Sequence, residues 1–174
     1  LLLPRGAIIR YKEWYGAPKD KDGLTVSNVG LKLDITKIAQ GICLREQSEP
    51  KNENGRPRIT YRVIDPSAYK EEGGPSIAER LSNYPHHLYF RKADNSRVPK
   101  GGAMGGWDAV RERLIGEDGR PMIYFMDNCP EAIRTLPALQ HDENKMEDVD
   151  TDGEDHAPDE IRYACMSRPY HRSY

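Results

Sequence analysis

Nowhere does the sequence string together the roughly 18 apolar residues that a membrane-spanning helix needs, and Leu1 to Leu3 is cut short by Pro4 and Arg5. A membrane helix is thereby excluded. The same leading residues lack the charged region, apolar stretch and small-residue cleavage site of a secretory signal. Starting at leucine, the chain reads as a piece of something longer. Cysteine is scarce: Cys43, Cys129 and Cys165 are odd in number and far apart, which gives no disulfide framework and suits a reducing compartment such as the cytoplasm. Cys129, His141, His156 and Cys165 have no paired CxxC or HxxxH spacing, so they do not read as a zinc site. No phosphate-binding loop is present either, because the glycines between Gly101 and Gly106 lack the lysine and hydroxyl that such a loop requires. A nucleotide-hydrolysing motor is excluded from these residues, and no internal repeat of solenoid length occurs.

What is present suits one folded domain spanning residues 1–174. Hydrophobic residues make up 37% and charged residues 31%, which is wetter than average but retains enough aliphatic side chains for a core. The net charge of −2 hides an asymmetry. Between Asp142 and Asp155 lie eight acids and one lysine, so the rest of the chain is mildly basic. Such a run reads as a solvated, mobile loop, or alternatively as an acidic flap beside a nucleic-acid groove.

The β-branched and aromatic stretch from Gly6 to Tyr15 predicts a strand closed by Gly16 and Pro18. Asp34 stands ahead of Ile35, Ile38, Ala39 and Ile42 at helical spacing and should cap that helix. A loop over Gln47–Pro57 is followed by the strongest strand signal, Arg58–Asp65, ended by Pro66. Further on come a short helix from Ser76, a strand over His87–Arg91 and a glycine loop from Lys100 to Gly106. Beyond that loop, Trp107, Val110 and Leu114 share a helix face. Pro121–Asp127 reads as a buried parallel strand, while Pro130 and Pro158 fit the first turns of two more helices. The alternation predicts an α/β domain with a mixed β-sheet flanked by helices.

In such sheets, functional groups collect at the carboxyl ends of strands, where Asp65 and Asp127 stand. Asp65, before Pro66-Ser67, suits either a metal ligand or a turn-opening side chain. Asp127 or Asn128 suits a cap for the helix beginning near Pro130. Asp159 falls in the first turn of the last helix, where the helix dipole favours an acid and where a divalent cation could also be bound. Cys165, on the buried face of that helix, reads as a small hydrophobe. Basic residues are spread along the chain to Arg172 rather than striped. They are densest from Arg91 to Lys100, where phosphate contact and plain solvation are both open.

Several segments together resemble a known family. These are Val63–Asp65 with Pro66-Ser67, Gly73–Arg80 (GGPSIAER), Gly105–Leu114 (GGWDAVRERL), Thr135–Gln140 (TLPALQ) and Asp148–Met166 (DVDTDGEDHAPDEIRYACM). They are similar to the nuclease domain of terminase large subunits from tailed phages and prophages, over roughly Pro4 to Pro169. The sharpest part is His156-Ala157-Pro158-Asp159 with Arg162-Tyr163, which looks like that family's His-x-x-Asp-x-x-Arg-Tyr pattern. The resemblance implies a ribonuclease-H-like fold that cuts double-stranded DNA during genome packaging in a bacterial host. Two Mg²⁺ or Mn²⁺ ions would do the chemistry, one activating water and the other stabilising the leaving oxygen. Asp65 then corresponds to the second metal-binding acid and Asp159 to the third, with Asp155 as a further ligand on the same approach and His156 supporting them. Arg91, Lys92, Arg97 and Lys100 become the expected DNA contacts. The family's first acid lies on a strand that would precede Gly6–Tyr15, and its ATPase domain also lies on the N-terminal side. The implied partners are that ATPase domain, the small terminase subunit and the portal, with no membrane. The competing expectation is a catalytically silent, prophage-derived docking module.

Overall fold

A computed structural model describes residues 3–26, 29–83, 85–150 and 153–170. In chain order the elements are β1 (Ile8–Arg10), α1 (Ile35–Glu46), β2 (Val63–Ile64), a 3-10 turn (Pro66–Tyr69) and α2 (Ile77–Ser82). Then come β3 (Arg91–Lys92), α3 (Gly106–Ile115), β4 (Ile123–Phe125), α4 (Pro130–Thr135) with a 3-10 extension (Leu136–Ala138), and α5 (His156–Ser167). The architecture is mixed helix and strand with small parallel sheets, and the chain divides into two compact units. No helix among the described residues is long and apolar enough to cross a membrane.

The first unit comprises Leu1–Val29 with Asp94–Tyr174. Here β1 pairs in parallel with β4, Ile8 opposite Ile123 and Arg10 opposite Phe125. The expected strand over Gly6–Tyr15 shortens to three residues because the chain beyond Arg10 turns to another task. Glu13 places its carboxylate on the N-terminus of α4, accepting from the Glu131 and Ala132 N–H groups at 2.8 and 3.0 Å. Those N–H groups have no partner inside the helix, and an anion there also meets the positive end of the helix dipole. Neither Asp127 nor Asn128 caps this helix. The N-cap position falls on Cys129, and Asn128 instead donates to the Tyr11 carbonyl at 3.0 Å.

Helices α3 and α5 pack together around Trp107, Val110, Ile123, Cys129, Ala132, Val149, Ala157, Ile161 and Cys165. Leu114, expected on the buried face of α3, is exposed, and the buried position falls on Arg113. Its guanidinium donates to the Gly6 and Met122 carbonyls, both at 3.2 Å, and to the Arg168 carbonyl. One charge thus gathers the starts of both strands and the end of α5. Helix α5 begins at His156, so that Pro158 and Asp159 both fall in its first turn as predicted. The chain is already helical at His156, and Pro158, which has no N–H to lose, is tolerated inside the first turn.

The second unit is Gly30–Ala93. Asp34 caps α1 as its spacing predicts, accepting from Thr36 and Lys37 N–H at 2.8 and 3.2 Å. Ser76 does the same for α2, accepting from the Glu79 N–H. Ala39, Leu81 and Leu88 form the core, flanked by Ile35, Ile42, Ile64 and Phe90. The eight-residue strand expected at Arg58–Asp65 reduces to Val63–Ile64, paired in parallel with Arg91–Lys92. Strand-forming side chains give a ladder only where a partner lies alongside. Here the Arg58 N–H instead bonds the Pro50 carbonyl at 2.7 Å, and Arg62 grips Glu46 through two bonds of 2.6 and 2.5 Å. The strand expected over His87–Arg91 begins only at its last residue, since His87 takes a left-handed conformation (φ 51°) that no strand accommodates.

Two predictions follow from this packing. Gly116 ends α3 at φ 68° and ψ −156°, and a Cβ there would overlap the Arg120 carbonyl oxygen. Gly116→Ala should therefore cost about 2 to 4 kcal/mol, measured by urea denaturation. Burial raises the Cys165 thiol to about 11, and the buried Cys129 is raised for the same reason. Only the thiolate reacts, and for Cys165 at pH 8 it is roughly one part in a thousand. Ellman's reagent at that pH should label the half-buried Cys43 first and reach the other two only after denaturation; early labelling of Cys165 would refute this packing.

Candidate functional site

The N-terminal turn of α5 brings together the acids that the sequence singles out in the first unit. Its opening backbone bond runs from the Asp159 N–H to the Asp155 carbonyl at 2.7 Å, which sets both side chains one turn apart. Arg162, a further turn along, donates from Nε to Asp159 Oδ1 at 3.0 Å, and one terminal nitrogen pairs with the same oxygen at 3.0 Å. Its other terminal nitrogen donates to the Ser96 carbonyl at 3.2 Å. The Arg162 residue is 1% exposed, its guanidinium lying 4.6 Å from the Tyr163 ring centroid and 5.4 Å from that of Trp107. Asp159 is thus held by a group that cannot itself move without opening the core.

Gly106 makes room for this arrangement. A Cβ on it would stand 2.5 Å from the Ser96 carbonyl oxygen and 2.7 Å from Cγ of Arg162. The glycine loop expected between Lys100 and Gly106 therefore ends on a packing requirement, which is unrelated to phosphate binding.

Arg97 faces the acids from the opposite direction. Its Nε donates to Asp148 Oδ1 at 2.8 Å, one terminal nitrogen donates to the Val149 carbonyl at 3.0 Å, and the other lies 3.6 Å from Asp159 and 3.7 Å from Asp155. Trp107 Nε1 donates to the same Asp148 oxygen at 3.1 Å, and Arg97 lies 5.4 Å from the Trp107 ring centroid. The acids respond unequally. Burial works to raise the Asp148 carboxyl, but the Arg97 bond, the Val149 N–H and Trp107 outweigh it and hold it below the usual range. Asp155 is shifted the other way: burial and then the Asp159 charge raise it against the weaker pull of His156 and Arg97.

The acidic run is the solvated loop that its composition suggests only over Glu143–Glu147, which are exposed. Asp148, Glu154 and Asp155 turn inward, and Glu154 binds both terminal nitrogens of Arg134 at 2.8 Å while accepting from the Tyr15 hydroxyl at 3.0 Å. Its residues 151 and 152 lie outside the described residues, as does Arg172.

The remaining candidates are placed as follows. Asp65 belongs to the second unit, where it caps the 3-10 turn and accepts from the Ser67 N–H at 2.7 Å, the turn-opening geometry that Asp-Pro-Ser invites. His156 is exposed, its Nδ1 3.9 Å from Asp155. Of the expected DNA contacts, Arg91 and Lys92 are exposed residues of the second unit, lying 5.1 and 4.9 Å from the ring centroids of Tyr61 and Tyr69. Lys100 is exposed in a tight turn with Ala103, and Arg97 is engaged with carboxylates. Sequence reasoning missed Glu13, Asp148 and the inward role of Arg97. Only the i,i+3 spacing of Asp159 and Arg162 signals any of this pairing locally.

Carboxylates are the hard oxygen donors that Mg²⁺ and Mn²⁺ take. Among the described residues, however, no group of three or more His, Cys, Asp or Glu is arranged to hold a metal ion, and the oxygens that face the Arg97 guanidinium are Oδ2 of Asp155 and the same Oδ1 of Asp159 that Arg162 holds. Asp148, Asp155 and Asp159 thus belong to an ion-pair network with Arg97 and Arg162. Comparison with known proteins gave no matching family model, no matching curated protein and no matching solved structure.

Gly106→Ala tests the arrangement, because the added methyl must displace Arg162 or the Ser96 backbone. It should cost about 2 to 4 kcal/mol, within the range for overpacking combined with loosening a buried ion pair. A melting temperature equal to wild type would show that Arg162 is not held as described.

Proposed function

We propose that this chain is a terminase-type nuclease domain of ribonuclease-H-like fold, cutting double-stranded DNA with divalent ions during phage genome packaging. The observation that carries the reading is the local order around Asp159. Three of the four residues of the His-x-x-Asp-x-x-Arg-Tyr pattern pack together there: Asp159 in the first turn, Arg162 buried against it, and Tyr163 beneath the guanidinium, while His156 is exposed. Parallel pairing of β1 with β4, and the packing of α3 on α5, are compatible with the α/β class of that fold. In this reading Asp65, Asp159 and Asp155 are the ion-binding acids, and Arg91, Lys92 and Lys100 supply phosphate contacts. An ATPase domain, a small terminase subunit and a portal are the partners, in the cytoplasm of a bacterial host.

One observation favours the second reading, a catalytically silent docking module: Asp155 and Asp159 already share the Arg97 guanidinium. DNA cutting separates the two. In the intact gene product, incubated with linear double-stranded DNA and millimolar Mn²⁺, the nuclease reading expects cutting that Asp159→Asn or Asp65→Asn reduces to background while the circular dichroism spectrum stays native. A wild-type protein that leaves DNA intact supports the docking module, and an Asp159→Asn variant that still cuts removes Asp159 from the site.

A further inference from the structure

We infer that the outer face of β2 and β3 in the second unit is a platform for unpaired DNA, where Tyr89 and the stacked Arg91–Tyr61 pair receive bases. The inference rests on the nuclease reading only in taking DNA as the partner. Register and alternation define the face. Val63 lies opposite Arg91 and Ile64 opposite Lys92, and successive side chains of a strand point to opposite sides. Ile64, Leu88 and Phe90 belong to the core, so Tyr89 and Arg91 point away from it, and Tyr89 is 65% exposed. The Arg91 guanidinium lies 5.1 Å from the Tyr61 ring centroid, which places that ring on the same side. Lys92 stands on the other side of the strand, 4.9 Å from the centroid of Tyr69, whose hydroxyl donates to the Phe90 carbonyl at 2.7 Å. It therefore adds charge and no stacking surface.

Charge selects the partner. Arg62, Arg97, Arg134 and Arg162 are committed to carboxylates, whereas among the described residues neither Arg91 nor Lys92 pairs with one. The second unit holds eleven basic residues against eight acidic ones, a net of +3, although the whole chain is −2. Phosphates answer the uncommitted cations. An exposed ring and a guanidinium plane answer bases, each of which carries a π-face. In a duplex those faces are hidden inside the stack, so the platform favours a single strand. An acidic peptide would meet the charge and leave the rings unused.

The test is fluorescence anisotropy of labelled oligothymidine titrated with the intact chain, in EDTA so that nothing is cut. Wild type should bind it. Tyr89→Ala should weaken binding about fivefold or more, the loss of one stacked base, while Tyr89→Phe stays close to wild type. Arg91→Gln should also weaken it and lower the slope of log affinity against log salt by about 0.7. Tyr89→Ala should leave binding to the same strand annealed to its complement unchanged. A wild type that does not bind oligothymidine, a Tyr89→Ala variant that binds it as wild type does, or an equal Tyr89→Ala loss on the duplex would overturn the inference. So would poly-glutamate displacing the labelled strand as effectively as unlabelled oligothymidine, the behaviour of a face that reads charge alone. If circular dichroism shows that Tyr89→Ala does not fold, Arg91→Gln carries the test, and an unchanged affinity and salt slope is then the overturning result. Because the assay contains no metal, failure here leaves the nuclease reading standing, and failure of DNA cutting with Mn²⁺ leaves the platform standing.

Discussion

The buried guanidinium of Arg162 is the constraint on which the candidate site depends. Removing a guanidinium from water costs several kcal/mol unless its charge and its donors are met. Here Asp159 meets the charge, while the Ser96 carbonyl meets one of the remaining donors. The aromatic rings of Trp107 and Tyr163 line the rest of its surroundings and favour a cation through their π faces. Each requirement reaches a different part of the sequence. Ser96 must lie in a loop whose carbonyl points inward, Gly106 must lack a side chain, and Trp107 must open the buried face of α3. A single desolvated charge thus fixes where α3 starts relative to α5.

Arg113 makes the contrast. It is as deeply buried, yet its recorded acceptors are three main-chain carbonyls, and burial lowers its pKa. A guanidinium spread over neutral carbonyls organises the strand ends without presenting any acid to solvent. The two arginines sit on facing helices of the same core and do different work. Arg113 ties backbone to backbone, whereas Arg162 ties backbone to a carboxylate that remains partly exposed. That difference is why attention falls on Asp159 and not on the strand ends.

Local physics was legible in the sequence. Asp34 and Ser76 cap their helices, Pro130 opens α4, and Ile123–Phe125 forms a parallel strand, because each depends on neighbours within a few residues. Strand length was not legible. Arg58–Asp65 and His87–Arg91 have strand-forming side chains, but only two residues of the first and one of the second join the ladder, since pairing is a property of two segments. The same limit applies to the site. The i,i+3 spacing of Asp159 and Arg162 could be read, but Asp148 and Arg97 are 51 residues apart, and Glu13 reaches the Glu131 N–H across 118. The inward turn of the acidic run was hidden for this reason: its countercharges, Arg97 and Arg134, come from elsewhere in the chain.

That inward turn changes what the acids can do. A run of eight acids on a flexible loop would bind divalent ions diffusely, by charge alone. Held by arginines, Asp148 and Asp155 of that run, with Asp159 just beyond it, become individually distinct. Asp148 is pulled down by its bonded cation, Asp155 is pushed up by burial and by its acidic neighbour, and Asp159 is locked in place by Arg162. The number of carboxylates in the sequence is therefore a poor guide to ion binding here. What each of these carboxylates presents to solvent is decided by the cation the protein already supplies to it.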